Sequence, residues 1–251
     1  MKNETYIRII RDMKFKNPIV VEGLPGIGLV GKIAAQHMAR ELKAKKIAEV
    51  YSPYFPHQVI MRKNGTIRML RNVIYGYKKK DLEIVFLLGD VQAVTSDAQF
   101  EVTNKLLDYF ESIGTKRIYT LGGYGTGRHL DTPRVLGAAT HKRLIPELEK
   151  HGVIFGESKG TIIGAAGMLL GLGKLRKMEG ACLMGETHGA YVDANSAKEL
   201  LKVLCNILDV KVTLDKLEER IKLDKIATEE LKRLQNMEKS GGGDEPLSYI
   251  R

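Results

Sequence analysis

Short, nearly continuous apolar runs alternate along this chain with longer stretches in which apolar residues recur every three or four positions. "PIVVEG" (18–23) predicts a buried strand, followed by a glycine turn and a helix through "KIAAQHMARELK" (32–43). "IAEVYS" (47–52), "LEIVFLLGD" (82–90), "RIYTLGGYGTG" (117–127), "GVIFG" (152–156) and "ACLMGET" (181–187) predict further strands. Most of them carry glycine at or near their end. Between 57 and 77 the apolar positions alternate around Asn64-Gly65, a strong short-range hairpin signal. "SDAQ" (96–99) predicts a Ser-x-x-Gln capping box at the start of a helix. Its apolar stripe is Phe100, Thr103, Leu106, Leu107, Phe110 and Ile113, and Gly114 ends it. "AKELLKVLCNIL" (197–208) closes the series as an amphipathic helix. Strands alternating with helices, with one hairpin inserted, predict a three-layer α/β core over residues 1–212 with a mainly parallel sheet.

After residue 212 the pattern changes. Residues 213–239 are highly charged and carry only a narrow apolar seam, at 214, 217 and 221 and then 227, 231, 234 and 237. That predicts a helical extension suited to a partner helix more than to a core. "SGGGDEP" then opens a flexible tail, 240–251, which ends "LSYIR".

Composition narrows the class. The longest apolar stretch, 161–173, falls short of the roughly 20 residues of a membrane span. The N-terminus has no continuous apolar signal core, so a soluble, cytoplasmic protein is expected. Cys182 and Cys205 both sit in apolar runs and form no Cys-x-x-Cys, so packing is expected of them and not a disulfide or a metal site. The net charge is +10, but residues 211–251 hold nine basic and nine acidic residues, so the excess belongs to the core. There it is dispersed, without an aromatic-interleaved basic stretch or a Cys/His finger. It predicts a solvated face or a surface for an acidic protein more readily than a nucleic-acid groove.

Several motifs invite a chemical reading. Gly26, Gly28 and Gly31 fit G-x-G-x-x-G, while Gly26, Gly31 and Lys32 fit a phosphate loop up to the position of the Mg²⁺-binding hydroxyl. That position holds Ile33, which cannot ligate a metal. Asp90 could mimic the acidic partner of such a loop, and Glu49 the ribose-binding acid of a dinucleotide site, although alternation in its strand could point Glu49 outward. The three glycines are therefore read as structural turns that let strand and helix approach closely. A second glycine-rich turn, with Gly123, Gly125 and Gly127 followed by Arg128 and His129, is a candidate anion or ligand loop. Glu186, His188 and Asp193 could form an acid–base cluster, but hydrogen-bonded loop structure is the preferred reading. Gly160, Gly164, Gly167 and Gly171 fall three or four apart and predict one closely packed helix face, in the core or at a subunit interface. No catalytic residue, metal ligand or cofactor is assigned.

"EGLPGIGLVGKIAA", "YTLGGYGTGR", "GTIIGAAGMLLGLGK" and "ACLMGETHG", in that order, resemble the signature blocks of the proteasome assembly chaperone family of archaea and eukaryotes. The resemblance runs from about residue 17 to 220. It implies a fold like that of nucleoside phosphorylases, without established catalysis. It also implies homo-oligomers, with four or five subunits as the expected number, that bind proteasome α-subunits or the core particle, with a paralogue as a further candidate partner. Some archaeal members carry an activator-like tail of hydrophobic residue, Tyr and any terminal residue. Here Leu247, Tyr249, Ile250 and Arg251 are the corresponding candidates, but Tyr249 is third from the end and Ile250 stands where Tyr belongs. The alternative is a nucleoside- or phosphate-binding enzyme that uses the Gly122–Arg128 loop.

Overall fold

In the computed structural model, residues 4–157, 160–217 and 219 are described. The chain divides into two compact units, Met1–Thr213 and Leu214–Arg251. The expected helical extension lies almost wholly, and the tail entirely, outside the described residues.

The first unit is built on a nine-stranded sheet. Its strands in chain order are β1 (Tyr6–Ile9), β2 (Ile19–Gly23), β3 (Lys45–Tyr51), β6 (Asn72–Lys79), β7 (Leu82–Gly89), β8 (Arg117–Gly125), β9 (Val135–Ala139), β10 (Val153–Ile154) and β11 (Glu179–Thr187). The remaining two, β4 (Val59–Met61) and β5 (Ile67–Met69), form the hairpin expected around Asn64-Gly65 as a separate two-stranded ribbon. Spatial order in the main sheet is β1-β3-β6-β7-β2-β8-β11-β9-β10. Its centre, β7-β2-β8-β11, is parallel, as the strand–glycine–helix repeats predict. The flanks add antiparallel pairs: β1 with β3, β3 with β6, β6 with β7, and β11 with β9. The sheet is thus mixed. The cause is local: β6 and β7 are joined through Lys80-Asp81, far too short a link for the crossover that parallel neighbours require.

Five α-helices complete the described part of this unit: α1 (Val30–Glu41), α2 (Ser96–Ser112), the short α3 (Ile145–Glu149), α4 (Ala165–Leu175) and α5 (Ala194–Leu208). α1 and α5 pack together on one face of the sheet, and α2 and α4 on the other. Strand alternation divides the core accordingly. Val20, Ile118 and Cys182 join Leu106, Phe110 and Leu169 in a single buried cluster. The apolar runs at the centre are buried on both faces, which is why they read as continuous and not alternating.

Three local expectations change. The cap of α2 is Thr95, one residue before the predicted Ser96, and its hydroxyl accepts from the amide of Ala98 at 3.3 Å. Thr103, Leu106, Leu107 and Phe110 of the expected stripe are buried, but Phe100 faces solvent and Ala98 and Val102 join the buried side. The glycine-spaced segment is not one helix face: Gly160 precedes α4, and Gly164 caps it at φ +79°. A side chain at Gly171 would meet open space, so close packing does not explain that residue.

Candidate functional site

The first glycine block forms the link from β2 into α1. Gly28 takes φ +61°, and a Cβ there would stand 2.9 Å from the hydroxyl of Thr187. Gly31 lies in the first turn of α1, where a Cβ would be 2.1 Å from the carbonyl oxygen of Leu121 in β8. Gly26 faces open space. This link brings helix and strand backbones into contact. Lys32, which a phosphate loop would turn toward its own glycines, lines a different groove of about 560 Å³, beside Arg40, Lys43, Lys45, Arg68 and Asp90.

That groove is basic, and the acid that lines it, Asp90, is already engaged. Arg68 grips Asp90 through both guanidinium nitrogens, one contact being Nη2 to Oδ1 at 3.0 Å, and the amide of Arg71 also donates to Asp90. These contacts hold the Asp90 carboxyl below its ordinary range despite burial, which acts to raise it. Asp90 is thus engaged as a structural ion-pair partner. Glu49 is likewise not turned outward as strand alternation allowed. Its side chain is 0% exposed, with Arg8, Lys46 and Arg71 paired to it and the Tyr51 hydroxyl donating at 3.0 Å. Burial would raise its pKa, but the hydrogen bonds from Lys46, Arg8 and Tyr51 prevail and lower it to about 2.

The second glycine block is mostly strand. β8 continues to Gly125, and Gly123 and Gly125 pair in parallel register with Gly185 and Thr187 of β11. A Cβ on Gly123 would meet the carbonyl of Ile27 at 2.4 Å, so the two glycine blocks are packed against each other. Beyond β8, the Arg128 amide donates to the Thr126 hydroxyl at 3.2 Å, and His129 Nδ1 lies 2.9 Å from the Tyr191 hydroxyl. In the third block, Glu186 is held by Arg134 at 2.7 Å, Asp193 caps α5 through the amide of Ser196 at 2.9 Å, and His188 stacks on Tyr191. Glu186 and Asp193 are thus each held by a partner outside the suspected acid–base cluster, and the buried Nδ1 of His188 has no hydrogen-bond partner. Cys182 is buried with its thiol pushed up to about 12, and burial also raises Cys205, to about 11, as apolar packing implies.

A cavity of about 860 Å³ opens at the carboxyl ends of β2, β8 and β11, the end where open α/β sheets place ligands. Its walls come from Leu24, Gly122, Ile162, Met168 and Met184, and from Thr95, Ser96 and Gln99 at the start of α2. Gly123 and Gly125 border it, but Gly127, Arg128 and His129 do not, so the candidate ligand loop is divided. At the floor lies Glu22, 1% exposed. The amide of Leu24 donates to its Oε1 at 2.8 Å, while Oε2 has no hydrogen-bond partner. Burial raises its pKa to about 8, and the nearby amides of Leu24 and Leu121 offset this only in part. Sequence reasoning took "PIVVEG" as a plain strand. The available signal was an acid within an apolar run that is buried on both faces.

Comparison with known proteins fits this architecture. The PAC2 family matches residues 20–232. An uncharacterised protein of Methanocaldococcus jannaschii, MJ1210, is 34% identical, with 97% of this chain and 96% of the relative covered. Among solved structures, Pyrococcus furiosus PbaB, described as an archaeal proteasome activator, superposes with a TM-score of 0.87 at 41% identity, covering 92% of this chain and 100% of PbaB. Pyrococcus furiosus PbaA, described as an archaeal homolog of proteasome-assembly chaperone, gives 0.74 at 27% identity, covering 94% and 99%. The glycine blocks that join β2, α1 and β8 belong to a fold shared over nearly the whole chain, and this protein is a member of the PAC2 family.

Proposed function

We propose that this protein is an archaeal-type proteasome assembly chaperone or activator-like adaptor that forms a homo-oligomer and binds proteasome α-subunits. The observation that carries the reading is the likeness to PbaB, which extends over the whole of that chain at 41% identity. The site geometry agrees with a binding role and not with catalysis. The near-phosphate loop serves helix–strand contact, and Glu186 and Asp193 are engaged by Arg134 and by the α5 N-terminus.

Lys32, Arg40, Lys43 and Lys45 line the basic groove, with the groove's arginines 68 and 71 already bound to Asp90 and Glu49. Such a surface steers association with an acidic partner and raises the on-rate more than the final affinity. The "LSYIR" segment after a glycine-rich linker supplies a second contact, in which Leu247, Tyr249 and Ile250 offer apolar side chains and Arg251 a charged one. Several tails on one oligomer add avidity even if each alone is weak.

Co-elution of the full-length protein with the same organism's assembled α-subunits on a calibrated sizing column tests the reading. A larger shared peak is expected. Clean separation at tens of micromolar, with both partners folded, would overturn it.

A further inference from the structure

Glu22 (β2), Thr120 (β8) and Cys182 (β11) are register partners straight across three parallel strands. All three are buried, in a row on the sheet face that packs against α2 and α4. One polar atom in this row, Glu22 Oε2, lacks a hydrogen-bond partner. An unmet buried polar group costs about 1–3 kcal/mol, more for a carboxylate, and an apolar side chain at position 22 would remove that cost. The Glu22 carboxyl is therefore not explained by packing. It lies at the floor of the cavity described above, independent of the groove and tail assigned to the proteasome.

The cavity is preorganised. Gln92 spans its rim, donating from Nε2 to the carbonyl of Pro25 at 2.7 Å and accepting at Oε1 from the Ala165 amide at 2.8 Å. Gly164 allows this approach, since a Cβ there would stand 2.4 Å from that Oε1. With both ends engaged, Gln92 cannot swing down to satisfy Glu22. Gly122 leaves the space above the floor open, because a Cβ there would meet only Met184, at 3.9 Å.

We propose that the cavity over Glu22 is a binding site for a small, flat, uncharged molecule that presents a carboxamide or lactam edge to the carboxyl.

The lining chemistry selects this class. Among the described residues no Lys, Arg or His lines the cavity, and a phosphate or carboxylate there would face the acid at its floor. The walls at Leu24, Ile162, Met168 and Met184 favour a flat apolar body. Burial keeps the carboxyl in its neutral form near neutral pH. A neutral carboxyl offers one donor and one acceptor side by side, and an amide or lactam edge presents the complementary pair.

Benzamide, benzamidine and benzoate share a ring and differ only in this edge. Each is titrated at millimolar concentration and pH 6.5 into the full chain carrying ¹³C-methyl methionine. Met168 and Met184 line the cavity, whereas Met61 and Met69 stand exposed on the β4–β5 ribbon and serve as the internal control. Benzamide is expected to shift the first pair and leave the second unmoved, and benzoate to shift neither. Glu22→Leu is expected to weaken benzamide by about tenfold or more, and Glu22→Gln, which keeps a donor and an acceptor, by no more than about threefold. Circular dichroism confirms that each variant is folded. Unmoved Met168 and Met184 signals, equal shifts at all four methionines, or undiminished binding to Glu22→Leu would overturn the site. Tighter binding of benzamidine than benzamide would overturn the uncharged class.

Discussion

Gly31 of α1 lies so close to Leu121 of β8 that a Cβ on the glycine would stand 2.1 Å from the leucine carbonyl oxygen. The same Cβ would be 2.9 Å from the Gly122 amide nitrogen, so both obstacles are backbone and neither can rotate away. Gly31→Ala is expected to destabilise the fold by on the order of 3 kcal/mol or more, because either α1 or the central strand must shift. Urea denaturation would show a lower midpoint. Gly26→Ala is the control, since its Cβ would meet nothing, and it should remain within about 0.5 kcal/mol of wild type. Equal stability of the two variants would refute the close-approach explanation.

Glu22 makes the protein less stable as pH rises. Its pKa is about 8 in the folded chain against 4.5 ordinarily, so between those values the native state keeps a proton that the unfolded state has released. Stability is full below about 4.5 and declines toward 8, by an amount on the order of a few kcal/mol. Glu22→Gln removes the titration. Its melting temperature should match that of wild type near pH 4.5 and exceed it increasingly up to pH 8. A gap that is constant across that range would contradict the raised pKa.

Glu49 has the opposite sign. Its pKa falls from 4.5 to about 2 on folding, so its stabilisation is present above 4.5 and is lost as pH falls toward 2. Its carboxylate is fully buried, and Glu49→Gln leaves Arg8, Lys46 and Arg71 without their shared anion. A loss of about 2–4 kcal/mol at pH 7 is expected, shrinking as wild type is acidified. Thermal melts of both proteins at pH 7 and pH 3 would test this. A loss that persists undiminished into acid would point to packing and not to charge.

Removal of residues 247–251 tests the tail. The truncated protein should keep the oligomeric state of wild type while its affinity for the α-ring falls about tenfold or more. Light scattering reads the first quantity and a titration the second. Unchanged affinity would leave the basic groove as the principal contact.

Much of the fold was legible in the sequence because apolar periodicity records how each segment is buried. "LEIVFLLGD" is continuous because β7 is covered on both faces, and "AKELLKVLCNIL" is periodic because α5 buries one side. Asn64-Gly65 marked the β4–β5 hairpin for an equally local reason. The ordered glycine blocks pointed to the family. Strand neighbours were not legible, and neither was the mixed character of the sheet, because pairing is fixed between segments far apart in the chain. Gly31 needs to be glycine on account of Leu121, and no window around residue 31 contains that reason. Glu49 looked like a possible outward acid until residues from β1, β3 and the segment before β6 closed around it. Glu22 looked like the last polar residue of an ordinary strand. Only the packing of α2 and α4 over β2, β8 and β11 placed that carboxyl, unpaired, at the floor of a cavity, because solvation and hydrogen bonding depend on what surrounds a group in space and not on its neighbours in sequence.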